Sequence, residues 1–145
     1  MAKMAPAQLG TRTRFGVGVV VRDEEGLVLV GRRIAEPGRP LALPGGKPEP
    51  GETIEQCAVR ELAEETGLIL DPGAVQTFAC VLISGGELSW AVAGVEGTLD
   101  PGTSRAQPRE LEPDKVGDFC WIDPSAPPEG LFEATRALLE RLPAR

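Results

Sequence analysis

The sequence predicts an α/β domain. Three observations carry that prediction: two pairs of β-rich runs broken by Gly-containing turns, a capped helical stretch free of Gly and Pro between them, and a C-terminal segment with leucines at helical spacing. The 145 residues are about one domain's worth, and 41% hydrophobic with 26% charged residues is the balance of a soluble chain with a real core. Any function must therefore come from one site on one core.

The elements follow in order. Residues 1–14 carry basic side chains but no apolar stretch, and read as a flexible tail on a cytoplasmic chain whose single domain is 15–145. Residues 15–22 and 27–33 are β-rich and flank Asp23-Glu24-Glu25-Gly26, whose glycine can adopt positive φ, so they predict a hairpin. A Pro/Gly loop at 36–40, the short apolar run Leu41-Ala42-Leu43 and the irregular turn Pro44-Gly45-Gly46 come next. Thr53 with Gln56 three residues on forms a capping box, 53–66 lacks Gly and Pro, and Gly67 supplies a left-handed stop: this stretch is a helix.

Residues 74–83 and 88–95, rich in Val with Phe78 and Trp90, predict a second hairpin around Ser84-Gly85-Gly86. The span 97–117 is polar and proline-broken, and predicts a long mobile loop. A strand at 118–122 and a helix over 131–142, with Leu131, Leu138, Leu139 and Leu142 in phase, complete the chain.

Composition excludes several functions. Fifteen Lys and Arg against twenty-two Asp and Glu give a net charge of −7, the wrong sign for coating a nucleic-acid backbone. Histidine is absent, removing the commonest neutral-pH general base and zinc ligand, so chemistry falls to carboxylates, Lys, Arg or a bound metal. Cys57, Cys80 and Cys120 are odd in number and far apart, so they read as buried reduced thiols. The longest apolar run, around 17–21, is far too short to span a bilayer, and no membrane partner is expected.

The chemistry concentrates in G-K-P-E-P-G-E-T-I-E-Q-C-A-V-R-E-L-A-E-E-T-G-L, starting at Gly46. At 100° per residue, with Glu61 at zero, Glu65 falls at about +40° and Glu64 at about −60°, so three carboxylates share one helix face. Crowded like charges call for a cation, and Mg2+ suits a one-sided cluster of hard oxygens that leaves room for water and substrate phosphate. The Gly45-Gly46 turn can add a backbone carbonyl. Arg60 can hydrogen-bond these carboxylates and soften their repulsion, with Glu52 as a further partner.

A glutamate-rich helix face alone usually means only a solvated surface. The spacing decides otherwise, because G-x5-E-x7-R-E-U-x-E-E-x-G-U, with U apolar, is matched at Gly46, Glu52, Arg60, Glu61, Leu62, Glu64, Glu65, Gly67 and Leu68. Chance alignment of the seven fixed polar and glycine positions has a probability on the order of 10⁻⁵. The stretch resembles the signature of the Nudix hydrolases.

That resemblance implies an α/β/α sandwich with a mixed β-sheet and hydrolysis of a nucleoside diphosphate linked to another group, by water attack at phosphorus. It also implies metal ligation by Glu61, Glu64 and Glu65 with the Gly45 carbonyl, orientation by Arg60 and Glu52, and Mg2+ as cofactor with Mn2+ able to substitute. The expected general base is a box glutamate, Glu64 or Glu65, in preference to Glu110 or Glu112 of the loop.

Phosphate contacts are expected from Arg33, one of the adjacent pair Arg32 and Arg33, and from Arg39, and Lys47 and Glu112 are further candidate substrate-binding residues. The scarce aromatics Phe15, Phe78, Trp90 and Trp121 are core fillers or base-stacking surfaces. F-G-V-G-V-V-V-R-D before the box and L-E-P-D-K-V-G-D-F-C-W after it resemble the MutT-like branch, which handles nucleoside triphosphates. The expected substrate is therefore a small nucleotide. ADP-ribose or a nucleotide sugar, and a non-catalytic nucleotide-binding module, are the alternatives; a homodimer is allowed by the resemblance.

Overall fold

Val19, Val20 and Val21 are fully buried, and so are Val28, Leu29 and Val30, so two consecutive strands are covered on both faces. Such strands belong inside a layered fold. The computed structural model describes residues 12–85, 87–100 and 107–144. One sheet contains β1 (Arg12–Val21), β4 (Gly45–Gly46), β5 (Leu70–Gly85) and β6 (Leu88–Leu99), in the order β4-β1-β6-β5. The other contains β2 (Val28–Arg33), β3 (Leu41–Ala42) and β7 (Val116–Ile122), in the order β3-β2-β7. β1 and β6 run parallel and the other ladders are antiparallel, which makes the first sheet mixed. With helices α1 (Ile54–Thr66) and α2 (Glu133–Leu139), the fold is α/β, as the sequence predicts.

The first predicted hairpin is corrected. Arg22, just beyond β1, forms one isolated bridge with Val28, and β1 and β2 then part into different sheets. Asp23 still builds the turn, its carboxylate accepting from Glu25 N–H at 2.9 Å and Leu27 N–H at 2.8 Å. The turn forms where Asp23 and Gly26 put it, but the edges of β1 are taken by β4 and β6 and those of β2 by β3 and β7.

Other boundaries also shift. β1 begins at Arg12, so residues 12–14, expected in the tail, pair with Leu88, Ser89 and Trp90; residues 1–11 lie outside the described part. The second hairpin exists and is longer than expected. The expected loop 97–117 surrenders its ends to β6 and β7, and 101–106 lie outside the described residues. The segment 107–115 is docked rather than free, with Arg109 N–H on Thr66 O at 2.9 Å and Leu111 N–H on Glu65 O at 3.2 Å. The expected 131–142 helix is helical only over Glu133–Leu139. Cys57 is buried as expected, but Cys80 is exposed on β5 and Cys120 is half-buried.

Helix α1 packs one face on the first sheet. Cys57, Ala58 and Leu62 join Val17, Val19, Val21 and Val95 in one core cluster, while α2 and β5 close a second around Val20, Val30 and Leu138. The capping box forms as predicted, and Gly67 stops the helix at φ 78° with its N–H on Ala63 O at 2.9 Å. These contacts fix the roll of α1 and therefore the direction of its acidic face.

Candidate active site

Arg60 stands at the centre of that face. Its Nε donates to Glu52 Oε2 at 2.7 Å and its Nη2 to Glu52 Oε1 at 2.9 Å. Its Nη1 reaches Glu61 Oε1 at 2.9 Å and Glu64 Oε2 at 3.2 Å, and Nη2 also donates to the Lys47 carbonyl at 3.0 Å. Glu49, in the same loop, lies 3.6 Å from Nη1. The guanidinium thus gathers helix acids and loop acids around one fixed cation.

The electrostatics follow from these contacts. The Arg60 hydrogen bonds, aided by the Glu49 backbone N–H, hold the Glu52 carboxyl down to about 2. Glu52 in turn raises Arg60 above its ordinary value. Burial raises Glu61 against the pull of Arg60, with Glu64 and Glu112 adding repulsion. Glu65, 6% exposed, accepts from Gly45 N–H at 2.8 Å. Burial, with Glu61 and Glu112 nearby, pushes it up to about 8 against the Gly45 N–H and Lys115. Burial also lifts the neighbouring Cys57 thiol to about 12, which leaves it protonated and inert.

Gly46 lets Glu61 lie against the backbone. A Cβ at position 46 would overlap the Glu61 carboxylate, so only glycine leaves that seat open. Glu61 and Glu65 line a cleft of about 720 Å³, together with Gly45, Arg60 and Lys47 on the acidic side. Trp90 and Phe132 also line it. Arg33 stacks on Phe132, its Cζ 4.2 Å from the ring centroid, and pairs with Glu36 at 2.8 Å.

Of the residues singled out in the sequence, Gly45, Arg60, Glu61, Glu65, Arg33, Lys47 and Glu112 line the cleft. Glu64 and Glu52 are held on Arg60 and are not among the residues that line it. Arg39 is exposed and away from the cleft, its carbonyl accepting from Arg32 Nη1 at 3.1 Å. Glu110 also lies outside, accepting from Asp118 N–H at 3.2 Å, whereas Glu112 faces inward beside Lys115 at 3.7 Å. Among the aromatics, Trp90 reaches the cleft, Phe78 and Trp121 pack on the cores, and Phe15 is 38% exposed.

Lys115, Glu36, Thr135 and Phe132 line the cleft without having been singled out. Glu112 and Lys115 show an i, i+3 charge pairing that sequence displays, but nothing local links Phe132 to Arg33 ninety-nine positions earlier.

Among the described residues, no three acids are gathered closely enough to hold a metal ion as they stand, because Arg60 occupies the space between Glu61 and Glu64. The donor set nevertheless fits a hard divalent cation in kind. Glu65 is a buried carboxylate whose burial calls for positive charge, Glu61 is seated beside it, and Gly45, whose N–H donates to Glu65, lines the same cleft.

The NUDIX domain family model matches residues 12–142. The 8-oxo-dGTP diphosphatase of Escherichia coli is 42% identical over 59 residues, which are 39% of this chain and 45% of that one. The RNA pyrophosphohydrolase of Cereibacter sphaeroides is 42% identical over 52 residues, 36% of this chain and 32% of that one. In each case the matched stretch spans less than half of the relative's length. The crystal structure of a MutT NUDIX hydrolase from Burkholderia pseudomallei superposes with a TM-score of 0.78 at 26% identity, covering 91% of this chain and 99% of that one. With the Gly46 to Leu68 signature running from β4 through α1 and nearly the whole chain matched, this protein belongs to the Nudix family and is MutT-like.

Proposed function

We propose that the chain is a Mg2+-dependent pyrophosphohydrolase that cleaves a nucleoside triphosphate, or another nucleoside diphosphate derivative, by water attack at phosphorus. The observation that carries this reading is Glu65, a buried carboxylate beside Glu61 at the acidic end of a cleft whose walls bear Lys47, Arg33 and Lys115. An acidic floor with cationic walls suits a ligand that is a polyanion bridged to the protein by a cation. The diphosphatase and pyrophosphohydrolase names of the relatives support the same reaction class.

Glu61, Glu64 and Glu65, with the Gly45 carbonyl, would hold the cation. When bound, it neutralises the diphosphate and makes a water molecule easier to deprotonate, and Mn2+ can take the same place. Arg60 and Glu52 hold Glu61 and Glu64 in place on the helix face. Lys47 and Arg33 receive phosphate oxygens, and Glu112 with Lys115 borders the same space. Glu64 or Glu65 takes the proton from the attacking water at a carboxylate oxygen, and the leaving phosphate departs as the phosphorus–oxygen bond breaks.

The test is phosphate and pyrophosphate release from canonical, deoxy and oxidised nucleoside triphosphates, ADP-ribose and nucleotide sugars, with Mg2+ and with Mn2+. Turnover should fall by roughly 10²- to 10⁴-fold in Glu64→Gln and Glu65→Gln. Turnover untouched by both substitutions overturns the reading, and binding without turnover would make the chain a nucleotide-binding module.

A further inference from the structure

Two cations of the cleft are already engaged with aromatic rings. Arg33 is tied both to Phe132 and to Glu36, whereas Lys47 lies over Trp90 with its Nζ 5.6 Å from the ring centroid. Lys47 has no carboxylate within ion-pair distance among the described residues. Its hold is therefore the weaker one.

The position of Trp90 is set by its neighbours. β6 places it opposite Arg14 of β1 and Ile83 of β5, on the face that lines the cleft. A Cβ on Gly16 would stand 3.6 Å from the indole and 3.8 Å from the Gly46 carbonyl. One side of the ring therefore lies close to bare backbone beside the start of the acidic box. Lys47 follows Gly46 directly, so its side chain spans from the box to the ring.

We propose that Trp90 is the stacking platform for the nucleobase, and that Lys47 covers its ring in the nucleotide-free chain and leaves it for the phosphates when the base docks. This rests on the reading of the cleft as a nucleotide site and adds its specificity: the ligand is a nucleoside polyphosphate with an aromatic base, not a bare polyphosphate. Stacking of a base on an aromatic ring is stronger than a solvated Lys–ring contact, so the exchange runs toward the base. The moving ammonium gains an anionic partner as it loses the ring.

Calorimetry with Mg2+ and a non-hydrolysable nucleoside triphosphate, set beside inorganic tripolyphosphate, tests this in the natural chain, Trp90→Ala and Trp90→Phe. Trp90→Ala should bind the nucleotide about tenfold more weakly while binding tripolyphosphate unchanged, and Trp90→Phe should recover most of the nucleotide affinity. Trp121 packs on the core, so in Trp121→Phe the remaining indole emission reports position 90 alone. It should be quenched by the nucleotide and not by tripolyphosphate. Nucleotide binding that neither quenches Trp90 nor weakens in Trp90→Ala overturns the platform and leaves the nucleotide reading standing. Absence of any nucleotide binding by the natural chain overturns both, and equal losses for nucleotide and tripolyphosphate reduce Trp90 to a structural role.

Discussion

Arg60 and Glu52 grip each other through two hydrogen bonds, Nε to Oε2 at 2.7 Å and Nη2 to Oε1 at 2.9 Å. Glu52 lies in the loop before α1, and its Oε1 also accepts from Glu49 N–H at 2.9 Å. Arg60 carries that anchor to Glu61 and Glu64. The pair thus ties loop 47–52 to the acidic helix face, and the fork of the guanidinium makes the geometry rigid.

Replacing Glu52 by Gln keeps the size and removes the charge that Arg60 grips. Outer partners of metal-ligating groups typically matter 10- to 100-fold, so kcat/KM should fall by about that much. Arg60→Lys should do similar harm, because an ammonium cannot make the forked contact. Steady-state kinetics alongside Mg2+ titration would show the loss; wild-type activity in both variants would refute the positioning role.

Glu65 makes the metal-free protein sensitive to alkali. Its folded value, about 8, lies above its ordinary 4.5, so between those values the folded state binds more protons than the unfolded state. Stability from this group is whole below about 4.5 and is lost as pH rises through about 8. Glu52 works in the opposite sense, stabilising above 4.5 and losing that contribution as pH falls toward about 2. Urea unfolding in chelator should therefore show a decline from pH 5 to 9 that Glu65→Gln flattens and Mg2+ reverses. A flat profile in the unsubstituted chain would contradict this.

Much of this site was legible before any coordinates because its spacing is local. A helix of known pitch fixes where Glu61, Glu64 and Glu65 point, and Thr53, Gln56 and Gly67 mark its ends. Sheet membership was not legible. The Asp23 turn is written in sequence, but whether Val19 to Val21 pair with the next strand or with Val95 to Gly97 depends on contacts more than seventy residues away. The same holds for Phe132, brought under Arg33 because Phe132 N–H donates to Leu41 O at 2.8 Å and Leu43 N–H to Thr135 Oγ1 at 3.0 Å. The 107–115 segment reads as loop by composition, yet its backbone caps the carbonyls at the end of α1.

Two glycines should separate chemistry from stability. In Gly46→Ala the new methyl group overlaps the Glu61 carboxylate, so metal-dependent turnover should fall while the fold persists. In Gly67→Ala the residue must hold φ near 78° and meets the Arg109 side chain, which should cost at least about 1 kcal/mol of stability. Thermal melts and kinetics on both variants check the contrast; equal melting temperatures with equal activities would contradict it.

The two loop acids should differ because only one of them lines the cleft. Glu110 is turned to the Asp118 N–H outside the cleft, so Glu110→Gln should leave kcat/KM within about twofold. Glu112 borders the cleft with Lys115 and adds repulsion to both Glu61 and Glu65. Removing its charge in Glu112→Gln should therefore shift the acidic limb of the kcat/KM profile downward in pH, because Glu61 and Glu65 then ionise more readily. With the proton acceptor in the helix box, the plateau rate should drop far less than the roughly 10²-fold or greater loss expected for Glu64→Gln or Glu65→Gln. A plateau loss in Glu112→Gln as large as in the box variants, with no displacement of the limb, would move the proton acceptor to the loop.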